Sequence, residues 1–151
     1  QLRSVLHATD EDQAHNHLSI TSQTLQFNFA SSYTIDIIEF NELFEACARH
    51  PHSSLDHCAE CSSRLMQATA LYRGEFLQGM FVNDSESLEE WMLWRRQQFQ
   101  QHQLLALHAL ASWFEQQADY KQAQSYAQRQ LEIDSLREDA YQQMMRTLAL
   151  E

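Results

Sequence analysis

Apolar residues recur at steps of three and four over most of the chain, which places them on one face of an α-helix. The first such stripe covers residues 40–47, and Pro51 prevents its helix from continuing. The next indicates a helix over about 55–73, with Ser54 as its N-terminal cap. From 87 to 118 there is no helix-breaking residue, which predicts one helix of about 30 residues. We therefore expect a mainly α-helical fold.

The last third of the chain, residues 104–151, resembles itself when it is shifted by 34 positions. Each apolar or small residue of the first copy then falls on an apolar residue of the second: Leu107 on Tyr141, Leu110 on Met144, Ala111 on Met145 and Phe114 on Leu148. A helix-pair repeat of this period is the tetratricopeptide pattern. One copy and half of the next are too few for an independent solenoid, so other helices must complete the core. The alternative is a helical hairpin whose period is a coincidence.

The N-terminal part shows a different pattern. Residues 18–20 and 25–29 alternate between apolar and polar, as in β-strands, and the polar residues 21–23 favour a turn between them. Residues 33–35 predict a third short strand. A small β-hairpin is therefore expected ahead of the helices, and such a hairpin is marginal unless it packs against other elements.

Composition and charge narrow the range of functions that this chain could have. The formal net charge of -11 opposes binding of duplex DNA by this chain alone. No apolar run approaches the roughly 20 residues of a membrane span, and no signal peptide is visible. Three cysteines without a secretion signal indicate a reducing cytoplasm. The chain opens in mid-pattern without Met, so we expect it to be a piece of a larger protein.

The sharpest chemical signal is a set of soft and borderline metal ligands around Pro51. Cys47 and His50 form one pair, and Cys58 and Cys61 form a second pair with the same spacing. The turn at Pro51 brings the two helix ends together, and zinc prefers four such ligands in a tetrahedron. His52 and His57 are further ligand candidates. The first alternative is that the thiols are simply buried, because all three cysteines lie on apolar stripes. A second alternative is a redox role through a disulfide.

Aromatic and cationic residues lie together near the start of the long helix. Trp94, Arg95 and Arg96 are a candidate partner-binding surface, because Trp and Arg are common anchors of protein interfaces. The alternative places Trp91 in the core and pairs the arginines with nearby glutamates.

The sequence predicts no catalytic site. His102 and His108 fall within a helix, and neither a nucleophile elbow nor a Gly-rich phosphate loop is visible. We therefore expect a protein that binds rather than an enzyme.

Several motifs resemble a known family. Residues 71–77 (LYRGEFL), Glu90-Trp91 and Arg95-Arg96 are similar to the bacterial transcriptional activator domain of SARP-type regulators, and so are 119–123 and 136–146. The resemblance covers residues 33–151 and implies a tetratricopeptide-like helical domain, truncated at its C-terminus. It also implies a protein partner, either a second copy in a homodimer or RNA polymerase.

In that family a winged-helix DNA-binding domain precedes the activator domain. Residues 1–32 resemble its end, with Leu2 to Leu6 as the tail of the recognition helix and 18–29 as the wing hairpin. The resemblance therefore implies that Arg3 lies near DNA and that most of the DNA-binding domain is missing here. The alternative function is a zinc- or redox-sensing module built on Cys47, His50, Cys58 and Cys61.

Overall fold

The structure, a computed structural model, describes residues 17–20, 23–52, 54–81 and 85–151, with the backbone alone at 18–20 and 25. Arg3 and the predicted tail of the recognition helix lie outside these residues. The chain divides into two compact units, residues 1–35 and residues 36–151.

The described part of the first unit contains the predicted β-hairpin. Strand β1 (Leu18–Ile20) pairs antiparallel with β2 (Leu25–Phe27), with Leu18 opposite Phe27. The predicted third strand at 33–35 is wrong. Tyr33 instead packs its ring edge-on against Phe27, with 4.9 Å between centroids, so side-chain packing takes the place of a strand ladder.

All the regular secondary structure among the described residues of the second unit is helical. Its α-helices are α1 (Asp36–Arg49), α2 (Ala59–Leu71), α3 (Glu86–Gln116), α4 (Tyr120–Ile133) and α5 (Glu138–Leu150), with a 3-10 turn at Leu55–His57. The mainly helical fold is confirmed, including the long uninterrupted helix. None of the described helices is both long and apolar enough to cross a membrane.

Helix α3 is the spine of this unit, because α2 packs against one side of it and α4 against another. Two buried clusters fill the side toward α1 and α2. One joins these helices to the C-terminal half of α3 through Cys47, Cys61, Leu65, Ala106, Ala109 and Leu110. The other lies further toward the N-terminus of α3 and contains Phe40, Ala68 and Phe99. The apolar stripes predicted from spacing thus form the core.

Helices α3, α4 and α5 pack in sequence, as the tetratricopeptide-like pattern predicts. Ala123, Ala127 and Ala140 are fully buried at their contacts, where small side chains let the backbones approach. The residues matched by the 34-residue shift differ in burial, however. Leu107 is buried, whereas its counterpart Tyr141 is exposed, because no other described helix covers the outer face of α5.

A network of buried side-chain amides joins these three helices. The amide nitrogen Nε2 of Gln143 on α5 donates to the carbonyl of His108 (3.0 Å) and to Oγ of Ser112 (2.9 Å), both on α3. Its oxygen Oε1 accepts from Nε2 of Gln130 on α4 at 2.9 Å. Both glutamines are fully buried, so each bond replaces hydration that the amide loses on folding.

We expect Gln143→Leu to lower the free energy of unfolding by roughly 1–3 kcal/mol, because it leaves the buried amide nitrogen Nε2 of Gln130 without its partner. Urea denaturation monitored by circular dichroism measures the change. The double variant Gln130→Leu/Gln143→Leu should regain part of the loss, because the stranded amide is also removed. Gln142→Leu, at an exposed neighbour on α5, is the control. Equal losses from Gln142→Leu and Gln143→Leu would contradict a role for the network.

Candidate metal centre and partner surface

The start of α2 positions two cysteine sulfurs. Cys58, not the predicted Ser54, caps this helix, and its Sγ accepts from the backbone N–H of Cys61 at 3.5 Å. Ser54 instead precedes the 3-10 turn, where its side chain makes no cap hydrogen bond and donates its hydroxyl to the side chain of Asp56. Cys61 lies one turn into α2 and is fully buried in the core. Cys58 is therefore positioned by the N-terminal cap of α2, and Cys61 by the first turn of that helix.

Two histidines converge on these sulfurs from the segment that follows α1. The donor atoms of His50, His52, Cys58 and Cys61 all lie within 4.8 Å of one another. Nδ1 of His52 lies 3.7 Å from Sγ of Cys61, and the rings of His50 and His52 are 5.8 Å apart. The structure thus brings together three of the four predicted ligands and adds His52, which the sequence offered only as a further candidate.

Cys47 is not part of this group of four. It lies on the same face of α1 as Phe40 and Phe44, and that face is turned into the core. Its thiol points toward the backbone carbonyl of Cys61, with 3.8 Å between sulfur and oxygen. Cys47 thus supports the backbone that carries one ligand candidate and is itself a core residue.

The environment of His50 leaves one ring nitrogen free. Its Nε2 lies 3.0 Å from Oε2 of Glu60, a carboxylate that also pairs with Arg64 on the same helix. Its Nδ1 is buried and has no hydrogen-bond partner. A neutral imidazole that donates from Nε2 to the carboxylate presents the lone pair of Nδ1 as an acceptor or metal ligand.

The two sulfurs of α2 differ in their electrostatics. The N–H of Cys61 lowers the pKa of Cys58, because the hydrogen bond stabilises the thiolate. Burial raises the pKa of Cys61 to about 12, and the neighbouring thiols add to that rise. Two nearby thiolates are therefore unfavourable without a cation, whereas a bound divalent metal would stabilise both.

A second candidate feature is the exposed aromatic surface at the N-terminal half of α3. Trp94 is 57% exposed, and the guanidinium of Arg95 lies over its ring at 5.0 Å and over that of Trp91 at 5.7 Å. Nη1 of Arg95 also donates to Oε1 of Gln98 at 2.9 Å. The placement of Trp91 in the core is wrong. It is 43% exposed, although the ring of Phe76 meets it edge-on and the guanidinium of Arg95 lies over it.

Arg96 faces the loop that precedes α3 rather than this surface. Its Nε donates to the carbonyl of Phe76 (2.8 Å) and its Nη2 to that of Leu77 (2.9 Å). Leu77 has a φ of 51°, in the left-handed region that few non-glycine residues adopt. Arg96 thus holds the turn at Phe76 and Leu77 against α3 through two hydrogen bonds.

The two histidines within α3, His102 and His108, are partly buried. His102 stacks on Phe44, with 4.9 Å between ring centroids, and burial lowers its pKa. Burial also lowers the pKa of His108, and its Nδ1 has no hydrogen-bond partner. Burial thus favours the neutral form of both imidazoles.

The burial of His102 predicts loss of stability in mild acid. The unfolded chain takes up a proton near pH 6.5, whereas the folded chain does so only at lower pH. Stability should therefore fall as the pH drops below about 6.5, until the folded-state pKa is passed. His102→Phe, which keeps the stacking, should reduce this fall when denaturation is measured from pH 7.5 to 5. His57→Gln, at an exposed position, is the control, and an unchanged slope in His102→Phe would contradict the assignment.

Residues 35–151, well over half of the chain, match the family described as bacterial transcriptional activator domain. No curated protein and no solved structure shows a significant match to the chain. The family is a transcription-regulator domain and not an enzymatic one. The resemblance predicted from residues 71–77 and the later motifs is confirmed over this range, which does not include residues 1–34. Through residues 35–151, the chain belongs to the bacterial transcriptional activator domain family.

Proposed function

We propose that this chain is part of a cytoplasmic transcriptional regulator in which the helical domain binds a protein partner and a winged-helix domain binds DNA. Residues 1–32 would be the end of that winged-helix domain, with β1 and β2 as its wing and Arg3 near DNA. Two observations support this division of roles: the family match of residues 35–151 and the hairpin that precedes it. The net charge of -11 also argues that DNA affinity comes from another part of the regulator.

The observation that carries the protein-binding role is the surface formed by Trp91, Trp94 and Arg95, here called the indole surface. Exposed indoles and guanidinium groups are the side chains that most often dominate binding energy at interfaces. Here they hold one another in place, because a single guanidinium covers both rings. Side chains that are ordered before binding lose less entropy when a partner arrives.

We assign RNA polymerase as the partner of the indole surface. An activator works by contacting the transcription machinery. The indole surface, whose side chains contact one another beside the loop that Arg96 binds, suits a transient contact with a different protein.

We expect Trp94→Ala to weaken binding to purified bacterial RNA polymerase holoenzyme by at least tenfold, or about 1.4 kcal/mol, because it removes an interface anchor. Biolayer interferometry at fixed salt measures the affinity. Arg95→Ala should act in the same direction, because it frees both indoles. Leu93→Ala removes an exposed apolar side chain from another face of the same helical turn and should change little. Equal affinity of Trp94→Ala and the unmodified chain would rule out the indole surface.

A separate observation favours homodimerisation through α5. Tyr141, Met145 and Leu148 are spaced by four and three residues and are 48%, 62% and 58% exposed, so they form one apolar stripe. A stripe on a single helix is self-complementary when two copies meet around a twofold axis. Burial of these side chains would offset part of the repulsion between the acidic copies.

We expect sedimentation equilibrium to show a concentration-dependent dimer that Met145→Glu converts to monomer, because a carboxylate would be buried at the stripe. Gln142→Glu adds the same charge to an exposed position beside the stripe and should leave the dimer largely intact. A monomer at all concentrations, or dimers of equal strength in both variants, would exclude this interface.

A further inference from the structure

We propose that His50, His52, Cys58 and Cys61 form a structural zinc site that closes the corner between α1 and α2. Two imidazoles and two thiolates are a ligand set that zinc takes up in structural sites. Each pair lies close in sequence, and the structure brings all four donor atoms within 4.8 Å. With four protein ligands, no coordination position remains for a substrate, which is typical of a structural rather than a catalytic site.

The distances fit tetrahedral coordination. Zinc with Zn–S bonds of about 2.3 Å and Zn–N bonds of about 2.0–2.1 Å places a sulfur and a nitrogen ligand about 3.6 Å apart. Sγ of Cys61 and Nδ1 of His52 are 3.7 Å apart. The widest separation in the group, at most 4.8 Å, requires side-chain movements of about 1 Å to reach this geometry.

The surroundings of His50 complete the arrangement. A metal at Nδ1 would satisfy a buried nitrogen that otherwise has no partner. Its Nε2 then donates to Glu60, which gives the carboxylate–histidine–metal arrangement that orients such ligands. The N–H of Cys61 donates to Sγ of Cys58 and so stabilises a thiolate ligand there. Each of these contacts supports the ligand form of one residue.

Simple burial of cysteines explains the position of Cys47 but not this group. Burial favours apolar neighbours around a thiol, whereas here two imidazole rings converge on the sulfurs of Cys58 and Cys61. His52 follows Pro51 outside any helix, so no apolar stripe accounts for its direction. A disulfide between Cys58 and Cys61 is the remaining competitor and is a defined outcome of the test below.

The metal would connect the segment after α1 to the core of the helical domain. Cys61 belongs to the buried cluster that contacts Ala106, Ala109 and Leu110 on α3. Because His50 and His52 precede the 3-10 turn and Cys58 and Cys61 follow it, the ion would span that turn. Binding only to the folded state stabilises that state, so the melting temperature should rise with zinc.

The test begins with the whole chain, purified in reducing buffer without a metal-affinity column and loaded with zinc. We expect about one zinc per chain by elemental analysis, because one set of four ligands binds one ion. X-ray absorption of this sample should show two sulfur and two nitrogen ligands. Three sulfurs and one nitrogen would instead indicate the set with Cys47, and absence of bound zinc would overturn the proposal altogether.

Variants identify the ligands independently of that spectrum. His52→Ala and Cys58→Ser should lose the zinc, whereas Cys47→Ala and the neighbouring His57→Ala should keep it. Circular dichroism of each variant shows whether it remains helical. Retention of zinc by His52→Ala, or its loss from Cys47→Ala in a folded protein, would overturn the assignment. So would a Cys58–Cys61 disulfide in protein alkylated at lysis, because an oxidised pair cannot bind the ion.

Discussion

The arrangement of the helices in the second unit depends on the burial of two sides of α3. A helix of 31 residues with apolar side chains on more than one face is not stable in water without neighbours. Phe99, Ala106 and Leu110 require α1 and α2, and Leu107 and Ala111 lie on a further buried face. The remaining helices are therefore arranged by what α3 must bury, which explains why the repeat of the last third does not need further copies to form a core.

Apolar contact alone leaves the rotation and sliding of packed helices loosely defined, because it is not directional. The hydrogen bonds of the amide network around Gln143 are directional, so they do restrict how these helices pack. Its three hydrogen bonds connect α3, α4 and α5 and are satisfied in one register only. The ion pair of Arg146 with Glu115 joins α5 to α3 at the surface with two contacts of 3.0 Å, but solvent weakens it. The buried amides thus specify how the tetratricopeptide-like part is assembled.

The indole surface lies on the N-terminal half of α3, whereas the proposed zinc site packs beside its C-terminal half. Trp94 and Ala109, which packs in the same cluster as Cys61, are 15 residues apart, or about 22 Å along the helix. Substitutions at one feature therefore do not touch the other. The proposed zinc site would stabilise the helical unit, whereas the indole surface would offer a contact to a partner, so loss of one role would not imply loss of the other.

Local signals were sufficient for the helices. The uninterrupted pattern from 87 to 118 predicted α3, and Asp119 caps the helix that follows, accepting from the N–H of Gln122. They failed at the start of α2. Ser54 looks like a cap, but it precedes a 3-10 turn and donates its hydroxyl to Asp56, and the sulfur of Cys58 caps α2 instead. The point at which a 3-10 turn ends and an α-helix begins depends on geometry that spacing does not contain.

The sequence by itself determined the helical fold and the close pairing of Cys58 with Cys61, because these follow from contacts within a few turns of helix, and its motifs indicated the family by resemblance. Only the tertiary structure decided which histidine joins the cysteines and which thiol turns away. Cys47 follows the apolar face of α1 into the core, whereas the direction of His52 beyond Pro51 depends on how α1 and α2 meet. The exposure of Trp91 was equally hidden, because burial of a side chain on a long helix depends on which neighbours reach it.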